Sequence, residues 1–401
     1  MQIRAITVFS HPEDVEAAAK VAATARLVLE AAGETVQTVR WALPPFPLLV
    51  ADEAGAVRLA REVGAAAQAY GLDYVSLGPA LPARPETYRW VPALLAETSV
   101  VFCSGVMADD EGIAPEAIRA CAGVMAELAP LEPDGFANLR FAALASVPAG
   151  APFFPAAYAP PLLPRGQVLV ALALEAADLA VAAFADARDA LAARGALVAR
   201  LEAHGKRLAD LTARSAARHG ARFLGLDFSL APFPDEAVSI GAALERLGVP
   251  ALGAHGSLAA AAFLADALDR AAFPRTGFNG LMLPVLEDPV LAARAAEGLL
   301  TVKDLLAYSA VCGTGLDTVP LPGDTTPAQL AAVLWDVAAL SRRLRKPLTA
   351  RLMPVPGKQA GDPLTFDFPY FADGRVMTVQ AAPVDGVWQG PAFDLRPRGS
   401  G

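Results

Sequence analysis

GLDTVPLPGDTTPAQLAAVLWDVAALSRRLRKPLTARLMPV, residues 315–355, is the stretch that decides the fold. Two short runs typical of strands, 315–320 and 348–355, enclose an Ala- and Leu-rich segment with helical periodicity. That segment begins at Thr326-Pro-Ala-Gln, which has the form of a capping box with proline in the first turn. Strand, helix and strand in this order predict two parallel strands joined by a crossover helix.

The same alternation continues almost from end to end of the 401-residue chain. It predicts about ten strands, at 3–9, 36–41, 98–103, 139–145, 167–174, 222–229, 279–284, 315–320, 348–355 and 375–380. Residues 176–219 form the longest helical stretch, which Gly195 is expected to divide. Ser10-His-Pro-Glu13 also has the form of a capping box with proline at the first helical position, and Asp288-Pro is a third predicted helix start. The pattern indicates an α/β fold with parallel strands.

One proline-rich stretch, 149–164, is the best candidate for a domain boundary. Its aromatic residues Phe153, Phe154 and Tyr158 instead favour an ordered loop that packs or binds. We therefore predict a single large domain over residues 1–401, with 149–164 as the alternative internal boundary.

Composition argues against several classes of protein. Apolar residues make up 54% of the chain, but every apolar stretch is interrupted well before the roughly 20 residues that span a bilayer. The N-terminus has no signal-peptide pattern, so we expect a cytoplasmic protein without a membrane span. The net charge is -9 and the arginines are scattered, which argues against a nucleic-acid surface. The three cysteines, Cys103, Cys121 and Cys312, are best interpreted as reduced thiols.

Familiar chemical signatures are absent from the sequence. It contains no His-Glu-x-x-His, no Cys-x-x-Cys and no Gly-x-Ser-x-Gly, which weakens the case for zinc enzymes and for α/β-hydrolases. Gly313-Thr-Gly lacks the third glycine of a dinucleotide fingerprint, so no nicotinamide or flavin signature is present. Pro356-Gly-Lys-Gln lacks most of a phosphate-binding loop.

The densest polar segment surrounds the strand at 315–320. It contributes the thiol of Cys312 and the carboxylates of Asp317 and Asp324, and the next strand contributes Arg351 and Lys358. The carboxyl ends of neighbouring parallel strands share one crevice, so we expect Asp324 and Lys358 to lie close together there. The alternative is that Asp324 caps the next helix and Cys312 is a small core residue.

A second polar segment follows the strand at 222–229. Asp227 is costly to bury without a partner, which is consistent with an ion-pair, metal or substrate role. The alternative is a solvated strand end. Asn279 and Glu287 lie at either end of the predicted strand 279–284, and Asp288 is interpreted as a helix cap.

Two further candidate site residues lie at the C-terminal ends of predicted strands. His11, after the first strand, is either an acid or base or part of the local structure of a helix start. Cys103 ends another predicted strand, where its thiol would face the same crevice.

Five motifs in the same order resemble one uncharacterised prokaryotic family, domain of unknown function 711. They are Asn138-Leu-Arg-Phe with Pro152-Phe-Phe-Pro-Ala-Ala-Tyr158, Asp227-Phe-Ser-Leu-Ala-Pro232, Cys312-Gly-Thr-Gly-Leu-Asp317, Pro322-Gly-Asp-Thr and Pro354-Val-Pro-Gly-Lys358. The resemblance implies a fold like that of pyruvate formate-lyase-type glycyl radical enzymes, a ten-stranded α/β barrel with the helices outside. It also implies that Cys312 lies at the barrel centre, as a nucleophile or acid if Arg351 or Lys358 lowers its pKa.

The resemblance does not extend to the radical chemistry. Those enzymes need a glycine in an Arg-Val-Ser-Gly-Tyr type segment near the C-terminus, and Arg375-Val-Met-Thr-Val379 has threonine at that place. The sequence therefore lacks a glycyl radical signature.

The sequence supports three functional hypotheses. The first is an enzyme without a radical that acts on a small anionic or polar metabolite, with a divalent cation as a candidate cofactor. The second is a metabolite-binding regulatory protein without turnover, and the third an oligomeric scaffold; we expect a homo-oligomer. The predicted catalytic residues are Cys312, Asp227 and Asp317, and the predicted substrate-binding residues are Arg351, Lys358, Asn279, Asp324, Tyr158, Cys103 and His11.

Overall fold

The computed structural model describes residues 1–311, 313–384 and 386–397. Its strands are β1 Gln2–Phe9, β2 Val36–Ala42, β3 Tyr74–Ala80, β4 Val101–Asp109, β5 Gly112–Ile113, β6 Phe141–Ala145, β7 Leu169–Glu175, β8 Arg222–Ala231, β9 Gly315–Pro322, β10 Leu348–Val355, β11 Pro363–Leu364 and β12 Gly374–Arg375. Its α-helices are α1 Val15–Ala31, α2 Glu53–Ala69, α3 Val91–Ala96, α4 Pro115–Leu128, α5 Ala177–Ala185, α6 Ala190–Ala217, α7 Ile240–Arg246, α8 Ser257–Arg270, α9 Pro289–Ala296, α10 Val302–Val311 and α11 Pro327–Leu344.

A ten-stranded, mostly parallel sheet organises the molecule. The strand order is β8-β7-β1-β2-β3-β4-β6-β10-β9, and β5 pairs with β4. The pairs from β1 through β4 to β6 are parallel, as are β7 with β8 and β9 with β10. The pairs β1–β7 and β6–β10 are antiparallel, so the sheet consists of strand groups that run in opposite directions. The predicted α/β class is confirmed.

Strands β8 and β9 end the path, and no closed barrel is detected among the described residues. The segment 275–285 lies between these two strands. Isolated bridges join Arg275 to Leu226 of β8 and Pro284 to Asp317 of β9. The backbone N–H of Val285 also donates to the carbonyl of Asp317 at 3.1 Å. The predicted strand 279–284 is therefore present only as isolated bridges.

Two other strand predictions differ from the structure. Strand β3 was not predicted, because Gly78 and Pro79 interrupt its pattern and both residues are typical of turns. The predicted strand 375–380 is wrong beyond Arg375, which pairs only within the small β11–β12 ladder.

Helix termini follow the sequence in most places. Thr326 and Gln329 form the predicted capping box, and Asp288 caps α9. The predicted capping box at Ser10 is wrong, because the Ser10 hydroxyl donates to the carbonyl of His11 and accepts from Trp41 Nε1 instead. The long helical stretch breaks at 186–189, where Asp189 caps α6, and Gly195 lies inside α6. No helix within the described ranges is long and apolar enough to cross a membrane.

The proline-rich stretch packs against several strands of the sheet as an ordered loop. The hydroxyl of Thr7 in β1 donates to the carbonyl of Pro152 at 2.8 Å, and that of Ser76 in β3 donates to the carbonyl of Ala157 at 2.7 Å. Side chains from the opposite face of the same strands, such as Ile6 and Val8, belong to the large core that also contains helix side chains. At β1 and β3 the loop therefore lies against one face of the sheet, and helices pack against the other face.

Candidate functional site

A cavity of about 500 Å³ lies beside the proline-rich loop. Its lining includes residues at the start of β2, β3 and β4 and at the end of β8, because the two strand directions bring these ends together. The sequence predicts a crevice at the carboxyl ends of the strands that carry Asp324 and Lys358, and neither of these residues lines this cavity. Its charged lining residues are Arg4, Arg40, Asp73, Glu132, Arg140, Glu287, Asp317 and Arg351.

A buried ion-pair network forms one wall of the cavity. Arg351 in β10 donates from Nε to Asp317 Oδ1 at 2.5 Å and from Nη2 to Glu287 Oε1 at 3.0 Å. Arg4 in β1 donates from Nη2 to the second oxygen of Glu287, Oε2, at 2.8 Å and pairs with Glu175 at 3.3 Å. Each of these carboxylates thus has an arginine partner, as buried charges require.

Burial and charge act in opposite directions on this network. Burial lowers the pKa of Arg351, but Asp317 and Glu287 outweigh it, so the net effect is a raised pKa. Burial raises the pKa of Glu175, against the hydrogen bonds from Gln2 and Gln37 and the charge of Arg4. Arg351 is therefore a permanent cation.

Arg40 in β2 differs from the other arginines of the cavity. Its Nε donates to the hydroxyl of Thr38 at 2.9 Å, and its guanidinium carbon lies 5.3 Å from the ring centroid of Phe154 and 5.9 Å from that of Tyr74. Within the described ranges, no carboxylate forms an ion pair with it and its Nη1 and Nη2 donate no hydrogen bond. Burial, and then the neighbouring charge of Arg4, lower its pKa to about 9.

Asp317 keeps one oxygen unused in the same cavity. Oδ1 accepts from Arg351, whereas Oδ2 accepts no hydrogen bond from the residues that the structure describes. The side chain is 10% exposed. Asp317 can therefore accept one further hydrogen bond from a ligand in the cavity.

Aromatic side chains form much of the remaining lining. The rings of Phe102 and Phe154 meet edge to face, with centroids 5.4 Å apart. At another part of the wall, Phe136 lies 4.9 Å from Phe368, and Tyr370 lies 5.0 Å from the guanidinium of Arg4. The cavity thus combines charged and apolar walls, as small-molecule sites do.

The structure brings together two of the predicted site residues, Asp317 and Arg351, together with Glu287. Cys312, the predicted catalytic thiol, lies outside the described residues. Arg40 and Arg4 were not singled out from the sequence. The signal that could have found them is a charged residue in the interior of a strand that is otherwise buried.

Asp227 and Asn279 hold a loop and do not line the cavity. Asp227 is fully buried and accepts from the backbone N–H groups of Ser229, Phe278 and Asn279 and from the hydroxyl of Ser229. Burial raises its pKa to about 6 against these hydrogen bonds. Asn279 returns a hydrogen bond by accepting from the N–H of Phe228 at 3.0 Å. Both side chains therefore satisfy backbone groups around β8.

Asp324 and Lys358 lie outside the cavity. The backbones meet as predicted, since the N–H of Gly323 donates to the carbonyl of Lys358 at 2.9 Å. Asp324 is exposed and accepts from Gln359, whereas the Lys358 ammonium donates to the carbonyl of Pro363 at 3.2 Å. Among the described residues, no ion pair joins these two side chains.

Tyr158, Cys103 and His11 also point to protein groups away from the cavity. The Tyr158 hydroxyl donates to the carbonyl of Val147 at 2.8 Å, and burial raises its pKa to about 12. Burial likewise raises the pKa of Cys103 to about 12, and its thiol contacts the carbonyl of Gly78. His11 Nε2 lies 2.7 Å from the carbonyl of Leu163 in the proline-rich loop.

No group of three or more His, Cys, Asp or Glu side chains in the described part of the chain is arranged to hold a metal ion. The divalent cation expected from the sequence therefore has no ligand set there.

Comparison with known proteins assigns the family. The model of the family described as Uncharacterised ACR (DUF711) matches residues 4–368. The chain belongs to the DUF711 family. Three related members are named UPF0210 protein. The one from Pyrobaculum arsenaticum is 34% identical and covers 87% of this chain and 80% of the relative. The one from Methanopyrus kandleri is 30% identical and covers 90% of this chain and 88% of the relative. The one from Syntrophobacter fumaroxidans is 32% identical and covers 77% of this chain and 72% of the relative.

The DUF711 match confirms the family resemblance seen in the motifs. The matched residues include every lining residue of the cavity except Tyr370, so nearly all of the site belongs to the part of the chain that the family model matches. The printed names of the relatives state no activity, and the function must be argued from the cavity itself.

Proposed function

We propose that the protein is an enzyme without a glycyl radical that binds a small metabolite carrying a carboxylate or phosphate in the cavity. The observation that carries this proposal is Arg40, a buried guanidinium whose Nη1 and Nη2 have no hydrogen-bond partner within the described ranges. Arginine is well suited to both anions, because its planar fork can bind two oxygens at once.

The energetic argument rests on the contrast between Arg40 and its neighbours. Arg4 and Arg351 have carboxylate partners, and Arg140 donates to Glu132 and to the carbonyls of Leu95 and Thr98. Arg40 has only Thr38 and two aromatic faces, although burying an unpaired charge is expensive. With a pKa of about 9 it is cationic at neutral pH. A bound anion would supply the missing partner.

Asp317 is the group we propose for chemistry on the bound metabolite. It lines the same cavity as Arg40, and its Oδ2 is able to take a hydrogen bond or a proton from a ligand. Arg351 holds the other oxygen, which fixes the carboxylate in place. Threonine at the position of the glycine in 375–379 supports a mechanism without a radical.

We also propose that segment 275–285 acts as a tenth strand beside the nine strands of the path from β8 to β9, and so closes the sheet into a ten-stranded barrel. Support comes from its bridges to both end strands, at Leu226 of β8 and at Asp317 of β9. Closure through this segment would surround the cavity with strands on all sides and limit the access of water.

Calorimetric titration tests the anion site. The ligands are inorganic phosphate, acetate and 3-phenylpropanoate, and the variants are Arg40→Gln and, as the matched control, the exposed Arg58→Gln. We expect at least one anion to bind, with affinity reduced about tenfold or more by Arg40→Gln and unchanged by Arg58→Gln. If no anion binds, or if both variants behave alike, the proposal is wrong.

Mass spectrometry then separates the enzyme from a binding protein. Wild type and Asp317→Asn are incubated with a metabolite extract, and the disappearance of each acid is followed. An enzyme consumes a metabolite and Asp317→Asn consumes it more slowly. A metabolite that is retained by the wild type but never consumed would instead indicate a binding protein without turnover.

A further inference from the structure

We infer that the cavity selects acids that carry a hydroxyl or ammonium group on an apolar body, with the carboxylate at Arg40 and the hydroxyl or ammonium at Asp317. This inference rests on the proposed anion site and names its ligand class. It follows from an inventory of the hydrogen-bonding groups that the cavity wall leaves unused.

In the cavity wall formed by the ion-pair network, most polar side-chain atoms already have a hydrogen-bond partner within the described part of the protein. Both oxygens of Glu287 accept from arginines, and every guanidinium nitrogen of Arg351 donates, with Nη1 bound to the carbonyl of Leu139 at 3.3 Å. Arg140 is likewise engaged through both of its terminal nitrogens. These groups shape the wall, and their charges are already balanced or solvated by partners within the protein, so they have less to gain from a ligand than Arg40 has.

Among the charged lining residues that the structure describes, two groups of opposite kind stand out as anchors for a ligand. Arg40 offers two donors, Nη1 and Nη2, and Asp317 offers one acceptor, Oδ2. They project from β2 and β9, which belong to different parts of the strand order. A ligand that satisfies both must therefore carry an acceptor anion and a hydrogen-bond donor, and a simple fatty acid lacks the donor.

Much of the remaining cavity lining is apolar. Phe102, Phe153, Phe154, Leu139 and Met282 line the cavity, and none of them offers a side-chain donor or acceptor for a ligand. A polar body such as a sugar would leave its hydroxyl groups unpaired against these side chains, whereas an alkyl or aryl body gains from burial. The cavity of about 500 Å³ accommodates a compound of the size of an aromatic amino acid.

A ladder of related probes tests the inference on the wild-type protein. The probes are 3-phenylpropanoate, 3-phenyllactate, phenylalanine and lactate, titrated by calorimetry. We expect 3-phenyllactate, phenylalanine or both to bind about tenfold or more tighter than 3-phenylpropanoate. Lactate, which lacks the apolar body, should bind more weakly than 3-phenyllactate. The better of the hydroxyl and ammonium compounds identifies the donor.

The variant Asp317→Asn assigns the second anchor. Asparagine keeps an oxygen for Arg351 and replaces Oδ2 by an amide N–H₂, which donates and cannot accept. The advantage of the hydroxyl or ammonium compound should fall to less than threefold. The exposed Asp324→Asn is the matched control and should keep the full advantage.

The outcomes separate this inference from the proposed function. If Arg40→Gln weakens 3-phenylpropanoate but the four probes show no such order, the anion site stands and the ligand class is wrong. If the order persists in folded Asp317→Asn, the assignment of the second anchor is wrong. If none of the carboxylates binds to the wild type, both proposals fail. Should Asp317→Asn not fold, the wild-type ladder alone decides the ligand class.

Discussion

The guanidinium of Arg40 lies 5.3 Å from the ring centroid of Phe154, so a buried cation is held against an aromatic face instead of a carboxylate. Phe154 belongs to the proline-rich loop, and Arg40 belongs to β2. The loop thus stabilises the cation by the electron-rich face of its ring while leaving two donors for a ligand. This arrangement distinguishes Arg40 from the paired arginines around it.

The ion-pair network predicts a large effect of Arg351→Met on stability. Methionine would leave Asp317 and one oxygen of Glu287 buried without their cation. Removing one partner of a buried pair costs about 3–5 kcal/mol of the free energy of unfolding. Urea unfolding measures it. Arg188→Met, at a side chain that is 89% exposed, is the control and should change the value by less than about 0.5 kcal/mol. Equal effects of the two substitutions would contradict the network.

The raised pKa of Asp227 predicts how Asp227→Asn depends on pH. The pKa is about 6 in the folded protein, against about 3.9 for an unfolded chain. The folded state therefore binds the proton of Asp227 more tightly than the unfolded chain does. This proton adds to the free energy of unfolding fully well below pH 4, and the added stability is lost as pH rises through 6. The stability difference between wild type and Asp227→Asn should shrink by about 2 kcal/mol between pH 4 and pH 7. Urea unfolding across that range measures it, and a difference that grows with pH would refute the assignment.

The loop held by Asp227 predicts contrasting effects of two glycine substitutions. Gly277 and Gly298 have the same left-handed backbone, with φ of +75° and +76°. A Cβ at Gly277 would overlap Asp227 Oδ2, whereas nothing lies within 4 Å of one at Gly298. Gly298→Ala should cost about 1 kcal/mol for its conformation alone. Gly277→Ala should cost about 3 kcal/mol or more, because it displaces a carboxylate that holds four hydrogen bonds. Similar losses in thermal unfolding would argue against this packing.

The burial of Cys103 and Cys121 predicts that both thiols are unreactive in the folded protein. Burial raises the pKa of Cys103 to about 12 and raises that of Cys121 further. Since the thiolate is the reactive form, Cys312→Ala should show no reaction with a disulfide reagent at pH 8 and two reactive thiols in guanidinium. A fast reaction of the native variant would mean that one of these thiols is accessible.

Local sequence patterns predicted the elements well but not how distant strands pair. Strand, helix and strand at 315–355 correctly gave β9, α11 and β10 as neighbours. The antiparallel pairs β1–β7 and β6–β10 join residues far apart in the chain, and no local pattern encodes them. A cavity that combines residues of β2, β3 and β4 with residues of β9 and β10 therefore cannot be predicted from local patterns.

Only part of the candidate site could be predicted from the sequence, because local patterns do not encode which distant strands lie together. Asp317 and Arg351 lie on strands connected by one helix, so their proximity followed from the sequence. Arg40 approaches this network only because the sheet brings β2 to the same cavity as β9. Asp227 was correctly expected to need partners, but its partners are backbone N–H groups of residues 278 and 279, which a side-chain motif cannot reveal.

One measurement tests the central claim most directly: a crystal structure with bound 3-(4-bromophenyl)propanoate, located by the anomalous scattering of bromine. We predict a bromine peak among the apolar side chains of the cavity and carboxylate oxygens within about 3 Å of Arg40 Nη1 and Nη2. A bromine peak outside the cavity, or a carboxylate that makes no hydrogen bond with Arg40, would contradict the account.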